Sequence, residues 1–159
     1  MFRACKGTPN ENAFRTLMAG CVLTIPILLS IDPALRFYEQ HIAPKPWVVA
    51  TVEIVPVAGA ARPAVLYGVD AKSLVSGRWK AWVEPKYGDV FVRGCRGSGP
   101  GNYSPTQTEK RLWKWGDWLG RDCALPPRPF RLCVSYSLET PRGAREDFGP
   151  YCSEEWSDK

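Results

Sequence analysis

The stretch Phe130-Arg-Leu-Cys-Val-Ser-Tyr-Ser-Leu-Glu139, followed by Thr140-Pro-Arg-Gly-Ala144, is the clearest hairpin signal in this 159-residue chain. Apolar and polar residues alternate in the first part, which predicts a half-buried β-strand. The second part is a turn signal, so residues 147–153 are expected to return beside it. A loop centred on Arg142-Gly143 sets Cys133 opposite Cys152, because the two cysteines lie equally far along the chain from the centre of the loop.

Four cysteines follow residue 46, and the hairpin register suggests how they pair. Directly opposed residues have Cβ atoms about 4.5–5.5 Å apart, which permits a Cys133–Cys152 disulfide. Cys95 and Cys123 then form the second pair. A metal site is the alternative, but no Cys-x-x-Cys spacing or histidine cluster accompanies these residues.

The rest of the distal region is also rich in strand and turn signals. Strands are predicted over residues 47–57, 64–69, 73–84, 89–94 and 111–119, and the glycine-rich segment 96–105 is predicted to be a loop. This pattern indicates a mainly β fold, an antiparallel β-sandwich. The last hairpin resembles the end of an immunoglobulin-type sheet, which implies an immunoglobulin-like architecture, although Cys133 falls on the polar face of its strand.

A run without charged residues spans positions 16–31 and follows Arg3, Lys6 and Arg15. A helix needs about 20 mainly apolar residues to cross the bilayer, and the run reaches residue 13 if Arg15 extends to the headgroups. We predict a single transmembrane helix over residues 13–31, retained as a signal anchor. The alternatives are a cleaved secretory signal, a lipoprotein signal ending at Cys21, and a buried helix of a soluble domain.

The excess of basic residues before this run predicts a cytoplasmic N-terminus. The chain then divides into a cytoplasmic tail (1–12), the membrane helix (13–31), a juxtamembrane helix with a proline linker (32–46) and an extracytoplasmic domain (47–159). Asp32 is expected to cap the short helix, with Pro33 at its first position. Oxidised cysteines favour the periplasmic side of a bacterial inner membrane.

All seven tryptophans lie after residue 46. By strand parity, Trp82 is a surface residue, whereas Trp79 belongs to the core. Aromatic faces stack on sugar rings and basic neighbours attract anions, which predicts a binding surface made of Trp82, Arg111, Trp113, Lys114, Trp115, Trp118 and Arg121. The alternative is that residues 111–119 pack as core.

The sequence favours binding over catalysis. Its only histidine, His41, lies before the β domain, and no nucleophile motif or phosphate loop is present, so we expect no catalytic residue, no metal and no cofactor. The basic residues behind the net charge of +5 are scattered among acidic ones, which argues against nucleic acid as a partner.

The leading hypothesis is a membrane-anchored interaction module, an accessory or stabilising subunit of a membrane complex or an envelope-binding protein. Its expected partners are membrane lipid and another membrane protein or envelope component. One alternative is an anchored glycan-binding domain. The other is a carbohydrate-active enzyme that uses two of five candidate carboxylates: Glu84, Asp89, Glu109, Asp117 and Asp122.

Overall fold

The computed structural model describes residues 30–106 and 110–157. Residues 1–12 and all but the last two residues of the predicted membrane helix lie outside this description. Within the described ranges, no helix combines the length and apolar character needed to cross a bilayer. The elements are helix α1 (residues 30–41), strands β1 (Val48–Val55), β2 (Ala64–Ala71), β3 (Val75–Tyr87), β4 (Val90–Phe91), β5 (Arg96–Tyr103) and β6 (Arg111–Lys114), helix α2 (Trp115–Leu119), and strands β7 (Phe130–Glu139) and β8 (Arg145–Cys152).

The mainly β, antiparallel fold predicted from the sequence is confirmed. One sheet has the order β1-β2-β6; in the other, β3 pairs with β7 on one side and with β4 and β5 on the other, and β8 is the far edge. A core formed by residues of both sheets lies between them. The Tyr151 hydroxyl of β8 donates to the Val48 carbonyl of β1 at 2.7 Å, which joins the sheets directly.

Strand β1 follows the predicted alternation. Val48, Ala50 and Val52 are buried in the core, whereas Val49 and Thr51 are exposed. Because side chains alternate between the faces of a strand, the wholly apolar face is the one that meets the second sheet.

The β7–β8 hairpin has the predicted register at its disulfide end, where Cys133 opposes Cys152. The disulfides Cys133–Cys152 and Cys95–Cys123 are both present. Towards the turn the register shifts by one residue, because Gly149 (φ 97°) takes up an extra residue in β8.

Residues 96–105 correct the prediction of a loop, since most of them form β5, which pairs with β3 over eight positions. The glycines leave space where aromatic rings approach the strand. A Cβ atom on Gly99 would lie 2.9 Å from the Trp79 ring, and one on Gly101 would lie 2.3 Å from the Tyr103 hydroxyl. The high glycine content, which predicts a loop, here reflects close packing of rings on a strand.

Two further predicted boundaries are wrong. The strand predicted over residues 111–119 ends at Lys114, and α2 follows directly. Residues 30 and 31 are already helical, so Asp32 and Pro33 lie inside α1 and do not form its cap and first position.

Candidate functional site

A cavity of about 410 Å³ lies between β5 and β6, the edge strands of the two sheets. Because the sheets do not pair with each other along these edges, the sandwich is open here, and α2 contacts both strands. The volume is that of a small-molecule site. The residues that line it are Tyr67, Val69, Trp79, Pro100, Gly101, Asn102, Tyr103, Thr106, Arg111, Trp113 and Trp118.

Aromatic rings form most of the cavity wall. Trp79 and Trp118 are stacked with their ring centroids 6.3 Å apart, and Tyr67 lies 5.5 Å from Trp118. Trp118 is almost fully buried, whereas Trp79 and Trp113 are half-buried and reach the opening. A ligand with a flat apolar face therefore finds rings on several sides.

Tyrosine hydroxyls meet beside this cavity. The hydroxyls of Tyr67 and Tyr136 share a hydrogen bond of 2.6 Å, and the Tyr103 hydroxyl interacts with that of Tyr67. Burial raises the pKa of all three phenols, because it disfavours the charged phenolate. At neutral pH these groups are neutral hydrogen-bond donors and acceptors.

Polar side chains also line the cavity. Trp113 Nε1 is buried but has no hydrogen-bond acceptor within residues 30–106 and 110–157. Arg111 is exposed at the opening and has no acidic partner in the same ranges. Asn102 and Thr106 offer two neutral hydrogen-bonding side chains, although the Thr106 hydroxyl already bonds that of Ser104 at 2.9 Å, and Arg111 offers one positive charge.

The Cys95–Cys123 disulfide closes the part of the chain that contains β5, β6 and α2. Eight of the eleven lining residues lie between these two cysteines. Closing such a loop lowers the entropy of the unfolded chain, so this disulfide stabilises the segment that builds the site.

The structure brings together three of the seven predicted binding residues, Arg111, Trp113 and Trp118. Lys114 and Arg121 are exposed but do not line the cavity. Trp115 corrects the prediction of a tryptophan platform: it is 2% exposed, and its indole N–H donates to the Cys123 carbonyl at 3.0 Å. The chain turns into α2 at this residue, so Trp113 and Trp115 do not share a strand face.

Trp82 also departs from the prediction, because it is only 7% exposed. It does lie outside the core between the sheets, as strand parity requires. Its indole N–H donates to Glu84 Oε1 at 2.6 Å, and the Arg93 guanidinium covers the ring at 4.4 Å from its centroid. Arg131 Nε donates to the other Glu84 oxygen at 2.9 Å, so this surface is already occupied by its own side chains.

None of the four candidate carboxylates that the structure describes lines the cavity. Glu84 is held by Trp82 and Arg131, Asp89, Asp117 and Asp122 are exposed, and Glu109 lies outside the described residues. Glu84 also lies near the sulfurs of Cys133 and Cys152. Both sulfurs form a disulfide, so neither is available as a thiolate ligand. Of these three residues, Glu84 alone could then offer a charged ligand to a metal ion.

The sequence analysis did not identify Tyr67, Asn102, Tyr103 and Thr106. It assigned Trp79 to the core, and Trp79 does pack against the core, but it also lines the cavity. Glycines alternate with other residues at positions 97, 99 and 101, which indicates a strand with one face that carries no side chains. Aromatic rings can pack directly against the backbone on such a face, as the Trp79 ring does at Gly99.

No protein-family model, no curated protein and no solved structure matches this chain.

Proposed function

We propose that this chain is a membrane-anchored binding module whose cavity takes a carbohydrate, in particular a sugar that carries a carboxylate. The observation that supports this most directly is an aromatic wall combined with Arg111 at its opening, an arginine with no acidic partner among residues 30–106 and 110–157. Sugar rings present apolar C–H faces that stack on aromatic rings. Arg111 supplies a guanidinium for a carboxylate, which it can contact through two parallel hydrogen bonds.

The proposed location is the periplasmic side of a bacterial inner membrane, with the N-terminus in the cytoplasm. The uncharged run at positions 16–31 supports a tether. The two disulfides support an oxidising compartment for the β domain.

Binding is tested with the full chain in mild detergent, by measuring its retention on peptidoglycan whose stem peptides have been removed, so that its muramic acid residues carry free carboxylates, and on chitin, which is neutral. We expect stronger retention on peptidoglycan, and loss of that retention in Trp113→Ala. Leu112→Ala is the matched control, since Leu112 is the neighbouring residue on β6 and is 64% exposed.

The role of Arg111 is tested separately with Arg111→Gln, which keeps hydrogen-bonding capacity but removes the charge. This variant should lose the preference for peptidoglycan over chitin. Equal retention of the wild type, Trp113→Ala and Leu112→Ala on both polymers contradicts the carbohydrate proposal.

A second candidate function, an accessory subunit of a membrane complex, is supported by apolar residues at the tip of the β3–β4 hairpin. Tyr87, Val90 and Val92 are all exposed there. This function predicts a stoichiometric membrane protein in mild-detergent copurification. The partner should be lost when Val90→Asp is introduced and retained in Trp113→Ala.

A further inference from the structure

Helix α1 carries an apolar stripe that the β domain does not cover. Ile31, Leu35, Tyr38 and Ile42, the residue directly after the helix, are all exposed. Their spacing of four, three and four places them on one face of a helix. Phe37 adjoins this face and packs its ring against that of His41, with centroids 4.6 Å apart.

The polar face beside this stripe attaches α1 to the domain. The Thr140 hydroxyl donates to Glu39 Oε2 at 2.6 Å, and Arg142 forms an ion pair with the same carboxylate. Just after the helix, Lys45 pairs with Glu146 of β8. These contacts fix the rotation of α1 about its axis, and the four residues of the stripe remain exposed beside the attached face.

We propose that α1 lies in the headgroup region of a lipid bilayer, with this stripe towards the acyl chains, and that it holds the β domain against the membrane surface. The proposal rests on the membrane tether of the proposed function. The uncharged run at positions 16–31 ends at Ile31, the first residue of the stripe, so the chain that would enter the bilayer joins α1 without a linker.

Two physical arguments favour lipid as the occupant of this face. A helix with an apolar stripe and a polar opposite face buries the stripe at the boundary between headgroups and acyl chains. Pro33 has no N–H to donate to the carbonyl four residues earlier, which favours a bend where the uncharged run meets α1. Such a bend lets α1 run along the surface.

The test places a photoreactive benzophenone side chain at Tyr38 of the full chain, reconstituted in phosphatidylethanolamine–phosphatidylglycerol vesicles. Gln40 is the matched control position, because it is exposed on the same helix but points away from the stripe. After flotation and irradiation, mass spectrometry identifies the adducts. We expect lipid adducts at position 38 in several-fold higher yield than at position 40.

The outcomes separate this proposal from the tether on which it rests. A chain that does not float with the vesicles overturns both. A chain that floats but gives equal adduct yields at the two positions, no adducts, or adducts to a second copy of the chain overturns only the placement of α1. Peptidoglycan retention is measured on the same samples and reports on the cavity independently.

Discussion

Removing the Tyr67 hydroxyl tests the hydrogen bond beside the cavity. Tyr136 is 1% exposed, and within the described residues its hydroxyl bonds only that of Tyr67, at 2.6 Å. Tyr67→Phe therefore leaves a buried hydroxyl without a partner, which costs about 1–3 kcal/mol. The adjacent cavity can admit water to this group, so we expect the lower half of that range, about 1–2 kcal/mol.

The free energy of unfolding is measured by urea titration of the full chain in mild detergent, with tryptophan fluorescence as the signal. Tyr87→Phe is the control, because Tyr87 is 56% exposed and its loss should change stability by less than about 0.5 kcal/mol. The double variant Tyr67→Phe/Tyr136→Phe removes both hydroxyls, and its cost should be less than the sum of the single costs by about 1 kcal/mol. Additive costs, or a Tyr67→Phe cost no larger than that of the control, refute the reasoning.

Three further predictions concern the cavity and α1. Gly99→Ala places a Cβ 2.9 Å from the Trp79 ring. The resulting overpacking should lower the free energy of unfolding in urea by about 1–3 kcal/mol and weaken peptidoglycan retention. Unchanged retention contradicts a role for the Trp79 ring in binding. Replacing both Cys95 and Cys123 with Ala should lower the free energy of unfolding by about 3 kcal/mol. An unchanged urea midpoint would contradict a stabilising role for this disulfide. The hydrogen bond from Thr140 lowers the pKa of Glu39 below its ordinary value of 4.5. The contribution of Glu39 to the attachment of α1 is therefore present at neutral pH and is lost as the pH falls through that lowered pKa. Hydrogen exchange of α1 should speed up over that range, and Glu39→Gln should reduce this pH dependence.

Local periodicity predicted the elements whose two faces differ most in polarity. In β1 the face with Val48, Ala50 and Val52 contains no polar side chain, so its burial follows from composition and strand geometry alone. The hairpin could be predicted for the same reason, and its turn placed Cys133 opposite Cys152. The one-residue shift at Gly149 could not be predicted, because a bulge depends on the fit between strands.

The candidate site was predicted only in part. Arg111, Trp113 and Trp118 were identified from the aromatic and basic composition of their segment. Their common cavity depends on the opposing edges of two sheets and on Tyr67 and Trp79, which are distant in sequence. No local pattern contains that information.

The sequence by itself determined the mainly β class, the strand faces and the pairing of the distal cysteines, because alternation and turn chemistry act between near neighbours along the chain. The tertiary structure decided that a glycine-rich segment is a strand, that Trp82 and Trp115 are buried, and that an aromatic cavity lies between β5 and β6. The physical reason is that strand parity assigns a side chain to a face, whereas its burial depends on which distant element packs against that face.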